Sequence, residues 1–404
     1  MRKLLSTIVL SLSMTTTTAA LAAGEGVGDI PDPLIECGGS FSSFVGRMKE
    51  LAVANGHDQG TVDQFFASVY QDGRTLGADG AQGIFNSGFV DFSRKLISQN
   101  RLSVGRSKLQ EYAGVFDQIE QRFGVSRGVL TAFWAFETDF GGFQGDFNTL
   151  NSLVTLSHDC RRPGIFQPQV LAALDLFERG DFSPTGTTGA WAGEIGMVQM
   201  LPADIRDSGI DGDGDGHVDL KKSAPDALLS GANMLSKLGW RPNEPWLQEV
   251  ILPANFDYSK SGSHQKFSTS DWAAMGVQPR EGQLFSSPQA SILVPNGHGG
   301  PAFIAYPNFD IYFEWNQSFT YVLTAAYFAN RLEGAEVFNA GNPSGPLDQG
   351  SMKQLQRKLE ALGHHVGEVD GILGYNTRIA VQKEQERLGL VPDAWPTWEL
   401  LNRL

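Results

Sequence analysis

From Phe41 to Leu174 the apolar residues of this chain recur at helical spacing, as in Phe44, Met48, Leu51 and Ala52 and again in Leu109, Tyr112, Phe116 and Ile119. That period predicts helix for the bulk of the first half. Between Pro253 and Pro307 the pattern breaks, with prolines, Gly299-Gly300 and the β-prone run Ala290 to Val294, which predicts a loop-rich insertion with a little sheet. A strong helix returns at Phe319 to Leu332. A chain of 404 residues exceeds what one core supports, so two or more domains are expected. The run Asn339 to Pro346 (NAGNPSGP) has linker composition, leaving residues 347–404 as a separate small unit. There Leu355, Leu359 and Leu362 form a stripe ended by Gly363, Asp370-Gly371 marks a turn, and Ile379, Val381 and Leu388 suggest a second helix.

Charge narrows the function classes. With 45 acidic against 31 basic residues the formal net charge is −14, which argues against a nucleic-acid partner. The N-terminus reads as an export signal: Arg2 and Lys3, an apolar run from Leu4 to Leu12, then Ala20-Leu21-Ala22 as a cleavage site. The run is too short to serve as a membrane anchor, and no cysteine follows the site to carry a lipid. The mature chain is therefore expected in an oxidising compartment outside the cytoplasm, free of a stable membrane anchor. Export favours a disulfide between Cys37 and Cys160, the alternative being two separately buried thiols. Neither cysteine lies in a Cys-x-x-Cys pair, so structural zinc is unsupported.

Chemistry first shows itself at RGVLTAFWAFETDFGG, residues 127–142. Leu130, Phe133 and Trp134 precede Glu137 by seven, four and three residues, placing the carboxylate on the apolar stripe of its helix. Burial disfavours its charged form and keeps a proton available for a leaving group. The competing reading pairs Glu137 with Arg127 or Arg162. Gly141 and Gly142 are expected to end the helix.

A second segment, GAWAGEIGMVQMLP at 189–202, interleaves Trp191, Met197 and Gln199 with glycines. It suits either a sugar-binding groove floor or a close packing turn. Then comes DGDGDGHVD. Side chains of Asp211, Asp213, Asp215 and Asp219 and the carbonyl of His217, with Gly216 sixth, match a calcium loop. Position twelve is Lys222 instead of a bidentate glutamate, so affinity is lower or another group closes the shell. The ion is expected to be structural, and no organic cofactor is implied.

With these motifs assembled, residues about 37 to 335 resemble the membrane-bound lytic murein transglycosylase B family. The shared elements are FETDFG at 136–141, TLSHDCRR at 155–162, W-A-G-E-I-G-x-x-Q-x-L-P at 191–202, the calcium loop, the run ending at Trp240, and PNF through WNQS at 307–318. The tail resembles the small helical peptidoglycan-binding domain, through LQxxLxxLG at 355–363 and DGxxGxxTR at 370–378. The resemblance implies a mainly α protein: a lysozyme-like helical catalytic domain with a small β-containing insertion, plus a small C-terminal three-helix domain. Its expected boundaries are 1–22 signal peptide, 23–338 catalytic domain, 339–346 linker and 347–404 tail.

The resemblance further implies cleavage of the β-1,4 bond between N-acetylmuramic acid and N-acetylglucosamine without water. Glu137 would act as acid and then base. Gln199 matches a family substrate contact, and Trp315 and Asn316 match the aromatic-Asn pair lining the groove, with Trp191 beside them. Expected partners are peptidoglycan glycan strands and other cell-wall enzymes. Where the family usually carries a serine this chain has Ala190, Trp315 replaces a common tyrosine, and in the tail Glu384 and Ala394 replace a core phenylalanine and a glycine. The alternatives are a muramidase that uses water, a non-catalytic wall-binding protein, and a calcium-dependent sugar binder.

Overall fold

A computed structural model describes residues 31–80 and 87–404, so the export signal lies outside the described residues. The molecule is mainly helical, as the apolar spacing predicts. Phe44, Met48 and Ala52 point inward from the helix Phe41–Ala54, whose first turn is capped by Ser40 accepting from the Ser43 amide at 3.2 Å. The helices Arg127–Thr138 and Phe319–Leu332 form the centre, burying Leu130, Phe133 and Trp134 against Val322, Ala325 and Ala329 in one large apolar core. They cross closely because residue 128 is glycine. A Cβ there would come within 2.9 Å of the Ala329 carbonyl. Among the described residues no helix is long and apolar enough to cross a membrane.

Cys37 and Cys160 are bonded, closing a loop across 123 positions. Of the two readings left open by the sequence, the bridge is the one observed.

Two small antiparallel sheets interrupt the helices. β1 (Phe147–Asn148) pairs with β2 (Thr188–Gly189). β3 (Leu247–Ile251), β4 (Gln278–Pro279), β5 (Ser291–Leu293) and β6 (Ala302–Ala305) form a sheet in the order β4-β3-β6-β5, with Leu247 opposite Ala305 and Ser291 also opposite Ala305. The insertion thus begins before Pro253, because β3 finds its partner β6 some fifty residues later. It has its own core around Trp272, Ile292 and Ile304.

Residues 347–404 form three helices, Gln349–Ala361, Tyr375–Arg387 and Trp398–Arg403, around Met352, Leu355, Leu359, Val381 and Leu400. Leu362 departs from the expected stripe. It is 51% exposed because the helix has ended and Met352 supplies the third inward residue. Glu384, in place of a core apolar residue, is buried but paired with His364 at 2.8 Å and Arg387 at 2.7 Å. Ala394 adopts φ 58°, the conformation that glycine takes at lower cost.

This unit is not loosely tethered. Gln382 Nε2 donates to the carbonyls of Tyr258 (2.9 Å) and Ser261 (3.0 Å), and the His298 ring meets Asp393 at 2.6 Å. The connecting residues are also held, with the Asn342 amide on the Gly299 carbonyl (2.8 Å) and Trp395 Nε1 on that of Ser344 (3.0 Å).

Candidate active site

Glu137 stands in the last turn of the helix Arg127–Thr138, which stops because Asp139 (φ 50°) and Phe140 (φ 60°) turn left-handed. The break therefore comes two residues before the glycines expected to make it. Thr138 stitches the end in place: its hydroxyl donates to the Met197 carbonyl at 2.6 Å and accepts from the Gly141 amide at 2.8 Å. The helix terminus is thereby clamped to the glycine-rich turn.

Neither arginine of the competing reading reaches Glu137. Arg127 pairs with Glu120 (2.6 Å) and Asp117 (2.8 Å), and Arg162 with Asp79 (2.5 Å). Instead, one oxygen of Glu137, Oε1, accepts from Trp315 Nε1 at 3.1 Å and from the Tyr321 hydroxyl. Burial pushes its pKa up to about 8; the two donors oppose the rise and the nearby charge of Glu194 adds to it. Desolvation wins, so the carboxyl is protonated at neutral pH.

Trp315 has a different part from that of a sugar platform. Its ring is 1% exposed and stacks on Phe133 at 4.1 Å and 12°, which fixes the N–H that points at Glu137. Trp191 is likewise buried in the main core, packed under the turn. A ring without free surface cannot stack on a ligand. Gln199 sits at φ 53° and donates to the Gly196 carbonyl at 2.8 Å, holding the turn. Asn316 Oδ1 accepts from the Ser318 amide at 2.8 Å at the start of the next helix.

Two residues at the site carry chemistry that sequence reasoning did not assign. Tyr321 faces Glu137 only because its helix packs on the helix Arg127–Thr138, and no local signal marks it. Glu194 lies within the WAGEIG motif. It is 3% exposed, burial pushes it up to about 7, and its Oε2 has no hydrogen-bond partner among the described residues. Asp139 pairs with Arg101 (3.2 Å) and Asp146 with Arg74 (3.0 Å), both away from Glu137.

The acidic loop lies beside this turn. Carboxylates of Asp211, Asp213 and Asp226 come within 4.8 Å of one another, an oxygen cluster that fits a hard divalent cation. Asp226, 1% exposed at the start of the helix Ala224–Lys237, is the group that could close the shell. Its place in S-x-x-D reads from sequence as a capping residue, and it also accepts from Ser223 at 2.7 Å. Asp215 accepts from the His217 amide (2.9 Å), the His217 ring meets Asp181 (3.0 Å), and Asp219 accepts from the Lys221 and Lys222 amides.

A buried, protonated carboxyl held at a glycine-rich turn of a helical core, with a second buried carboxyl near it, is an arrangement that can give a proton to a leaving group. Residues 40–330 match the transglycosylase SLT domain and residues 348–404 a putative peptidoglycan binding domain. The chain belongs to the transglycosylase SLT family. It is 35% identical to SltB3 from Pseudomonas aeruginosa, whose crystal structure in complex with NAG-NAM-pentapeptide aligns with a TM-score of 0.82 over 91% of this chain and all of that one. It is 27% identical, over 59% of its length, to the membrane-bound lytic murein transglycosylase B of Escherichia coli, of which it spans 65%. The Escherichia coli lytic transglycosylase Slt35 in complex with calcium shares the fold, with a TM-score of 0.63 at 23% identity over 74% of this chain and 95% of that one.

Proposed function

We propose that the protein is a lytic transglycosylase that cleaves the β-1,4 bond between N-acetylmuramic acid and N-acetylglucosamine in peptidoglycan, leaving 1,6-anhydromuramoyl ends. The observation that carries this reading is Glu137, protonated at neutral pH with both of its donors on Oε1. The carboxyl proton then belongs on Oε2. From there it passes to the glycosidic oxygen as the C1–O bond breaks. The muramoyl C6 hydroxyl attacks C1, and its proton returns to the carboxylate, so one group serves both transfers and no water is consumed. Glu194, buried and raised to about 7, is the carboxylate that a water-using mechanism would call on, so the product analysis below decides between the two readings. SltB3 has also been crystallised with NAG-anhNAM-pentapeptide, which carries an anhydro sugar.

Gln199 and Asn316, buried at 8% and 4% exposure, are the proposed sugar contacts through Gln199 Oε1 and Asn316 Nδ2, the polar atoms left over from their hydrogen bonds at the turn and the helix start, while Trp315 and Trp191 support the site from beneath. Calcium is the proposed ion of the acidic loop, with Asp211, Asp213, Asp215, Asp219 and the His217 carbonyl as the original donor set and Asp226 closing it. Bound there it would tie the loop to the helix Ala224–Lys237 and supply no step of the reaction. We assign 1–22 as signal peptide, 23–338 as catalytic unit, 339–346 as linker and 347–404 as wall-binding unit of a periplasmic protein.

The test is mass spectrometry of muropeptides released from purified peptidoglycan by the protein and by Glu137→Gln. Anhydro products, lighter by one water than muramidase products, are expected from the protein. The variant, folded but without its proton-transfer group, should lose roughly four decades of activity. Reducing ends would make the enzyme a hydrolase, no release by either would leave a binding protein, and residual activity above about a tenth would remove Glu137 from the chemistry.

A further inference from the structure

Between the insertion, the turn that follows Trp315 and the C-terminal unit lies a cavity of about 880 Å³, which Glu137 does not line. Phe313 and Phe319 give it apolar wall, and Glu314 and Arg378 give it charge. Lys266 and Asp310, also on its surface, neutralise one another in an ion pair. Asp393, also on this surface, meets the His298 ring at 2.6 Å and acts on Arg378 through its charge, while Glu314 belongs to neither pair. Arg378 lies over the Phe319 ring at 4.5 Å and donates from Nη2 to the Pro295 carbonyl at 3.3 Å, but it forms no ion pair among the described residues and its buried Nε–H has no acceptor. Glu314 forms no hydrogen bond or ion pair among the described residues.

A guanidinium whose Nε–H lacks an acceptor and whose charge partner Asp393 is also held by His298, facing the same partly enclosed cavity as the unpaired carboxylate of Glu314, favours a ligand that pairs both. The complementary ligand is zwitterionic, presenting a carboxylate to Arg378 and an ammonium to Glu314. The cavity also lies close to the reacting centre. Trp315 contacts Glu137, and Gln317 and Phe319, two and four residues further on, line the cavity. A pentapeptide, reaching roughly 17 Å when extended, is long enough to pass from one to the other.

We propose that this cavity binds the peptide stem of the strand being cut, with a stem carboxylate on Arg378 and a stem ammonium toward Glu314. The proposal rests on the peptidoglycan-cleaving function above, and it makes the C-terminal unit a wall of the stem site.

The test compares kcat/KM of the full-length protein on peptide-bearing glycan strands and on the same strands stripped of their stems by an amidase, for the wild type, Arg378→Gln and Glu314→Gln. The wild type should prefer peptide-bearing strands by roughly a hundredfold, about tenfold for each of the two charge-assisted contacts. Each substitution should bring that ratio down to about ten. Glu314→Gln keeps the test decisive if Arg378→Gln fails to fold, since Glu314 holds nothing else in place. A wild-type ratio near one, or a ratio that the substitutions leave unchanged, overturns the stem site. Absence of turnover on both substrates overturns the proposed function instead.

Discussion

At the scale of single residues, the acidity of Glu137 is set by a contest between burial and two donated hydrogen bonds. The acid must be protonated to act, so kcat/KM should fall as pH rises through about 8. Tyr321 donates to the carboxylate and therefore lowers this pKa. Tyr321→Phe should move the alkaline limb of the pH profile upward; a limb that stays in place or moves down would contradict the assignment. The sequence placed Glu137 on an apolar helix face correctly, since spacing within one helix needs no tertiary knowledge. It could not show Tyr321, because which face of the helix Phe319–Leu332 meets Glu137 depends on packing between segments far apart in the chain. Trp315 was expected to line the groove from its place in a motif, and its stacking on Phe133 instead turns its N–H toward Glu137.

Among elements, those with local signals were legible and those built from distant pairings were not. The helix Phe319–Leu332 was readable from its apolar run. β3 was not, since it becomes a strand by pairing with β6 and its own residues, LQEVI, carry no clear period. The acidic loop announced itself, but Asp226 was hidden because its spacing falls outside the twelve-residue pattern and its local role is that of a cap. If calcium binds among Asp211, Asp213 and Asp226, adding it to chelator-treated protein should raise the melting temperature, by an amount equivalent to about 2.7 kcal/mol at a hundredfold excess over Kd. Turnover at moderate temperature should change less. Asp226→Asn should abolish the calcium-dependent rise, whereas loss of turnover with an unchanged melting curve would contradict a structural role.

For the whole molecule, the Cys37–Cys160 bridge and the docked C-terminal unit join segments that no local signal connects. A bridge across 123 positions stabilises by roughly 4 to 5 kcal/mol in the chain-entropy account. Reduction should therefore lower the melting temperature by on the order of 10 °C, and an unchanged melting curve would show the bridge to be dispensable. Linker composition marked residues 339–346 from sequence, but not that these residues are pinned to the insertion. The burial that raises the Glu137 pKa needs the helix Phe319–Leu332, which packs on the helix Arg127–Thr138 from far along the chain. In an incomplete chain that glutamate is an ordinary carboxylate, ionised at neutral pH and with no proton to give. An enzyme built this way gains its acid only when the fold closes around that residue.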